Sequence, residues 1–224
     1  MTPTTTLLNQ KKVKTHTRYY DSEGVLVPGI TTVIRMKNNP YLVEWSNKLG
    51  LDGYEVSKYV DGLADIGVLA HYLVECDVKS LEPDLSDYSP RQIDAARGSF
   101  NKWLVWKTKN QFTLIQSEMK LVSNKHKFGG TLDIYGVVNG VKSILEIKTS
   151  KSCYPEHKTQ AVAQKCLLSE NGYEITDCRI IRLGRSENEG FDDILVGAHE
   201  LHWNVFKACL ALYYADKNLQ RAAA

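Results

Sequence analysis

The stretch GGTLDIYGVVNGVKSILEIK, running from Gly129 to Lys148, decides how the chain is read. Asn139-Gly140 lies between two runs of β-branched and apolar residues. That is the signal of a two-residue type I′ hairpin turn, because both central positions must take positive φ. With those residues at the turn, Val138 pairs with Val141. Counting outward pairs Tyr135 with Ile144, Asp133 with Glu146 and Thr131 with Lys148. Directly opposed residues have β-carbons about 5 Å apart. Side chains alternate along a strand, so Leu132, Ile134, Leu145 and Ile147 are expected on one face as core, with the acids and the lysine on the other.

Two carboxylates held that close repel, and one pKa rises unless a cation sits between them. Oxygen ligation favours a hard ion, Mg²⁺ or Mn²⁺, over zinc. Lys148 on the same face could hold an attacking water or offset charge on a phosphate. Together these are the ingredients of phosphodiester cleavage. An ordinary charged solvent face is the competing explanation. It leaves the Gly129-Gly130 pair and the Thr149-Ser150 continuation unaccounted for.

Residues upstream supply further candidates. Leu63 to Asp77 has helical periodicity, with Ile66, Leu69, Leu73 and Cys76 as the apolar stripe. His71 falls off that stripe, flanked one turn away by Gly67 and Glu75. Glycine at that spacing allows another element to approach closely, which a ligating histidine requires. Glu75 is a second-tier candidate. So is Glu118, in the alternating strand FTLIQSEMKLV, where Ile115, Met119 and Leu121 share one face and Gln116, Glu118 and Lys120 the other.

The order Gly67-x-x-x-His71, Gly-Gly-Thr-Leu-Asp (129–133), Glu-Ile-Lys-Thr-Ser (146–150) and a helix carrying Gln160 resembles the PD-(D/E)XK nuclease superfamily, closest to its RecB-like and phage exonuclease branch. These motifs span residues 67–164. The resemblance implies a restriction-endonuclease-like α/β core, a mixed central sheet flanked by helices in the order αβββαβ, with a helical N-terminal elaboration. It implies that Asp133 and Glu146 ligate one or two Mg²⁺ or Mn²⁺ ions, with the Ile147 carbonyl and His71 as further ligands and Lys148 as the catalytic lysine. Gln160 and Gln164 would contact DNA from their helix. The branch pattern reads Gln-x-x-x-Tyr there, whereas this chain has Gln160-Ala-Val-Ala-Gln164. The implied activity is DNA end processing by an exonuclease in recombination, replication or repair. An endonuclease on the same core and a non-catalytic DNA-binding module are the alternatives. A homo-oligomer or a single-strand-binding or annealing partner would fit such an enzyme, but no sequence feature points to either. The compartment implied is the cytoplasm of a bacterial or phage-infected cell, with the mitochondrion as the alternative.

Composition frames this reading. The chain has 224 residues, 43% of them hydrophobic, which suits a single domain with a real core. Residues 1–88 read as its mainly helical part and 89–224 as the nuclease core. No apolar run approaches a membrane span and no signal peptide is visible. The first twenty residues, rich in Thr and Lys, read as a plain start, with a transit-like or disordered arm as the alternative. Net charge is only +2, so nucleic-acid binding must rest on local basic groups. Lys125, His126 and Lys127 precede the hairpin, and Lys151, Lys158 and Lys165 follow it as candidates for holding phosphates. Five cysteines without Cys-x-x-Cys spacing point to a reducing compartment and exclude an iron–sulfur cluster of the four-cysteine kind.

Punctuation gives the remaining layout. A small hairpin is expected around Glu23-Gly24. A helix from Pro40 to Leu49 should bury Leu42, Trp45 and Leu49 and stop at Gly50. Helix then runs from about Tyr54 to Lys79, broken near Gly62. Ser89-Pro90-Arg91-Gln92 reads as a capping box opening a helix to Lys109, with Phe100, Trp103 and Leu104 in the core. Pro155 starts the Gln160 helix, Asp177–Leu183 is a buried strand, and Asp193–Val196 leads to a last helix with Leu201, Val205, Cys209 and Leu212 as its apolar stripe.

Overall fold

The computed structural model describes residues 17–37 and 39–223. The expectations for the first sixteen residues therefore lie outside the described residues. The fold is mixed α/β, with N-terminal helices and a five-stranded mixed sheet flanked by helices. A hairpin of β1 (Tyr19–Tyr20) and β2 (Leu26–Val27) leads into α1 (Ile30–Ile34), α2 (Pro40–Leu51) and α3 (Val56–Lys79). Then follow α4 (Pro90–Lys109), β3 (Phe112–Ser123), β4 (Phe128–Val138), β5 (Val141–Lys148), α5 (Pro155–Glu170), β6 (Asp177–Leu183), β7 (Phe191–Leu195) and α6 (His199–Ala222). The sheet order is β3-β4-β5-β6-β7, antiparallel throughout except for the parallel β5–β6 pair that the α5 crossover connects. The succession α4-β3-β4-β5-α5-β6 is the helix and strand order expected from the sequence.

Two layers of side chains hold the sheet between helices. On one face Val74 of α3 and Trp103 and Trp106 of α4 pack on Ile134, Leu145, Ile147 and Ile181. On the other, Ala161, Val162 and Leu168 of α5 pack on Leu132, Tyr135, Ile144 and Cys178. The two tryptophans stack at 5.1 Å and give their indole N–H groups to Asp77 and Asp193, so neither is buried with an unmet donor. Because α3 shares its core with α4 and β4, the helical N-terminal part and the sheet are packed together across residue 88.

Local signals act as physical chemistry requires. Asn139 and Gly140 have φ of 50° and 84°, and the β4–β5 register runs from Val138↔Val141 through Tyr135↔Ile144 to Ile134↔Leu145. Ser89 and Gln92 form the reciprocal capping box. Other expectations need correction. α2 runs through Gly50, and Leu42 and Trp45 are 57% and 40% exposed, with no residue of the helix buried. α3 continues through Gly62, whose position opens onto free space. An interior glycine costs only about 1 kcal/mol, which packing of the downstream turns outweighs. β7 begins two residues earlier than read, at Phe191. In α6 the buried residues are Phe206 and Leu210, while Leu201, Val205 and Leu212 face outward. A bulge between Leu114 and Gln116 shifts the phase of β3 and turns Ile115 outward, 45% exposed, away from Met119 and Leu121.

No described helix is long and apolar enough to cross a membrane.

Candidate functional site

The site is assembled where the hairpin ladder ends. Pairing of β4 with β5 stops at Ile134↔Leu145, so Asp133 and Glu146 are not ladder partners as counted, nor are Thr131 and Lys148. Beyond that point β5 keeps its parallel pairing with β6 alone, and Asp133 Oδ2 accepts the Ile147 N–H at 2.8 Å. The side chain takes over a donor that the neighbouring strand no longer satisfies. The pleat breaks here as well. Leu132 packs with Tyr135 and Ile144, on the opposite side of the sheet from Ile134, which corrects its expected place beside Leu145 and Ile147.

Glu118 lies across from Asp133, between the pairs Ser117↔Ile134 and Met119↔Leu132. Its φ is 53°, a left-handed conformation that costs a non-glycine residue about 1–2 kcal/mol. Strain of this kind needs surroundings that hold it, and the kink carries both acids into one cavity.

That cavity has a volume of about 670 Å³, within the range of ligand sites. Asp133, Glu118, His71, Gln160 and Gln164 line it. α3 brings His71, whose Nδ1 is 3.7 Å from Asp133 Oδ2. It can come this close because Gly67 sits against Thr149, where an added Cβ would be 2.8 Å from the threonine Oγ1. The Gly129-Gly130 pair has the same origin. A Cβ on Gly129 would be 2.5 Å from Tyr19, and one on Gly130 2.6 Å from Ile30. β1 and α1 therefore close over β4, and Tyr19 donates or accepts a 2.9 Å hydrogen bond with Thr131. Tyr19, Thr31, Thr32 and Thr131 are pocket residues that sequence reasoning missed; the double glycine was the signal that something packs there.

Glu146 and Lys148 follow Ile144 on the α5 side of β5, as alternation demands. Glu146 is 2% exposed and meets three donors: Gln160 Nε2 and Gln164 Nε2 at 2.6 Å each, and Lys148 Nζ at 2.7 Å. Lys148 also donates to Gln160 Oε1 at 3.0 Å, closing a triangle. Gln164, at the position where the resemblance expects tyrosine, is fully buried; its amide also reaches the Thr131 carbonyl at 3.2 Å, while its Oε1 has no partner among the described residues.

Electrostatics differ among these groups. Burial, reinforced by the Glu146 charge, holds the Asp133 carboxyl well above the usual carboxylate range, against the opposing pull of Lys148. Burial works to lower the Lys148 pKa, but the Glu146 and Asp133 carboxylates outweigh it and leave the ammonium above its ordinary value. A pocket with an over-concentrated negative charge and a fixed ammonium suits a cation between the acids.

Other predicted residues are placed elsewhere. The Ile147 side chain is core, so only its backbone borders the site. Glu75 pairs with Lys79 at 2.7 Å and does not line the cavity. Nor do Lys151 and Lys158. Lys127 is tied to Asp21 at 2.8 Å and Lys165 to the Thr176 carbonyl at 2.7 Å, both structural roles. The Glu146 oxygens turn toward the α5 amides, so His71, Asp133 and Glu146 do not converge as a compact ligand trio. Among the described residues, the three groups whose ligand atoms lie within 4.8 Å of one another are His126, Cys166 and Glu170.

Compared with protein-family models and with curated proteins, the chain matches none.

Proposed function

We propose that the chain is a metal-dependent deoxyribonuclease on a restriction-endonuclease-like core, acting as an exonuclease from DNA ends. One observation carries this reading. Elements far apart in sequence bring Asp133, Glu118, His71, Gln160 and Gln164 to one cavity, and Gln160 and Gln164 link it to the buried Glu146–Lys148 pair. A binding module has no need of buried carboxylates that repel phosphates. The helix and strand order supports the core assignment. The motif order, rather than any feature of the cavity, favours action from ends.

The donor set fits a hard divalent cation such as Mg²⁺ or Mn²⁺: two carboxylates, with His71 3.7 Å from one of them. A carboxylate has about four lone-pair sites, and Glu146 uses three on Gln160, Gln164 and Lys148. Asp133 and His71, with Glu118 lining the same cavity, would hold the ion beside the Ile147 carbonyl, and Glu146 would join them by turning an oxygen away from the α5 amides. When bound, it would polarise a phosphodiester and acidify a water. Lys148 stays protonated and orients the nucleophile or offsets phosphate charge. Gln160 and Gln164, which line the cavity, hold the Glu146 carboxylate through their amides.

The test is digestion of end-labelled linear DNA, single- and double-stranded, beside covalently closed circles, with Mg²⁺. Linear DNA should be degraded and circles spared, and Asp133→Ala should abolish cleavage. Cleavage by Asp133→Ala protein equal to wild type would overturn the assignment; cleavage of circles would convert it to an endonuclease.

A further inference from the structure

Away from the cavity, two elements build a second cluster of metal-binding side chains. His126 belongs to the turn between β3 and β4. Cys166 and Glu170 lie one turn apart at the C-terminal end of α5. His126 Nε2 is 3.2 Å from Glu170 Oε1, and Cys166 Sγ donates to the same oxygen at 3.4 Å. A spacing of four residues puts the thiol and the carboxylate on one helix face, and the turn carries the imidazole to them.

We propose that His126, Cys166 and Glu170 form a site for a zinc-class divalent transition metal, separate from the cavity that Asp133 lines. The donor set is nitrogen, sulfur and oxygen, which selects zinc-class ions and discriminates against Mg²⁺. Three protein donors leave the fourth tetrahedral position to water or a small anion. The location favours a cation, because the aligned peptide dipoles of α5 place partial negative charge at its C-terminal end. Trp203 packs edge-on against the His126 ring at 5.1 Å, on the side-chain layer that also holds Phe128 and Phe206, and so fixes the imidazole plane.

The chemistry of loading balances simply. Cys166 holds a proton that it shares with Glu170. Burial and the Glu170 carboxylate push this thiol up to about 12, while Lys125 acts in the opposite sense. Metal takes the place of that proton, which leaves to solvent, and the thiolate, the Glu170 carboxylate and neutral Nε2 of His126 become ligands. The ion would tie the β3–β4 turn to α5 two residues after Gln164, bracing the helix that grips Glu146.

The experiment is a Co²⁺ titration of full-length, chelator-treated protein, followed by Zn²⁺. A thiolate-to-cobalt charge-transfer band should grow to one equivalent, be bleached by Zn²⁺, and persist in excess Mg²⁺ and in Asp133→Ala protein. That last arm separates this site from the nuclease reading. Cys166→Ser should remove the band. His126→Gln and Glu170→Gln should each weaken binding about tenfold or more, since loss of a mere hydrogen-bond partner to a ligand already costs about 10–100-fold. Circular dichroism checks folding of each variant, and His126→Gln, altered in a turn, carries the test if Cys166→Ser does not fold. No charge-transfer band in wild type, a band retained by Cys166→Ser, or unchanged affinity in His126→Gln would overturn the site and leave the trio a hydrogen-bonded cluster.

Discussion

Asp133 and Glu146 invite the same isosteric change, and the structure assigns it opposite effects on stability. Glu146 receives donors at 2.6, 2.6 and 2.7 Å and is essentially inaccessible to water. Glu146→Gln turns one acceptor oxygen into an amide facing another amide and leaves Lys148 without its buried counter-charge. Breaking a buried pair in this way costs about 3–5 kcal/mol. For a chain of this size each kcal/mol moves the midpoint by about 2–4 °C, so a fall of roughly 6–20 °C follows. Among the described residues Asp133 accepts one hydrogen bond, from the Ile147 N–H, and asparagine retains an oxygen to accept it. Its folded-state pKa lies above the ordinary 3.8, through burial and then the Glu146 charge, so the folded state holds the proton more tightly than the unfolded chain. The stability linked to this group is therefore full below 3.8 and is lost as pH rises through the raised folded value. Asp133→Asn removes that loss. Thermal unfolding of wild type and both variants in chelator, from about pH 4 to pH 8, reads both effects. Asp133→Asn should equal or exceed wild type, with a gap that widens as pH rises, while Glu146→Gln falls throughout. An Asp133→Asn midpoint as low as that of Glu146→Gln, or a gap independent of pH, would refute the strained-carboxylate reasoning.

Lys148→Ala should lower single-turnover cleavage by about 10²–10³-fold or more while calorimetry still detects Mg²⁺ uptake. Two glycines of α3 should respond in opposite ways. Gly67→Ala meets Thr149 Oγ1 at 2.8 Å and pushes His71 off its place, lowering activity, whereas Gly62→Ala enters open space and raises stability by about 0.5–1 kcal/mol in denaturant melts. Ser89→Ala removes the capping box that starts α4 and should cost about 1 kcal/mol with cleavage unchanged.

Local chemistry with a short reach was legible in the sequence. Asn139-Gly140 fixes the turn because few other pairs tolerate two positive φ angles, and the register follows for as long as the ladder lasts. Ser89 to Gln92 is a contact within one turn, and Asp177–Leu183 is a largely buried strand between β5 and β7. Apolar stripes were less decisive. α6 carries Leu201, Val205 and Leu212 on one face and Phe206 and Leu210 on another, and periodicity does not rank two such faces. The sheet chose the second because Phe206 meets Phe128 at 4.7 Å beside Trp203. In α2 the same ambiguity resolved toward exposure for Leu42 and Trp45.

The site's composition was readable, but its geometry was not, for a related reason. A hairpin count assumes an unbroken pleat, and it places Asp133 opposite Glu146 with both pointing one way. The chain breaks the pleat at that pair of positions, with Glu118 in a left-handed conformation and Leu132 on the unexpected face. An ideal strand would have given two exposed acids able to relax into solvent. The break instead lets Asp133 cap the Ile147 N–H and leaves Glu146 to the two glutamines of α5. The two carboxylates thus end in different states, Glu146 held by three donors and Asp133 lining the cavity with one. That asymmetry lets one acid act as a fixed anchor and the other as the group whose charge awaits a cation, and it is the physical reason their isosteric variants should part company.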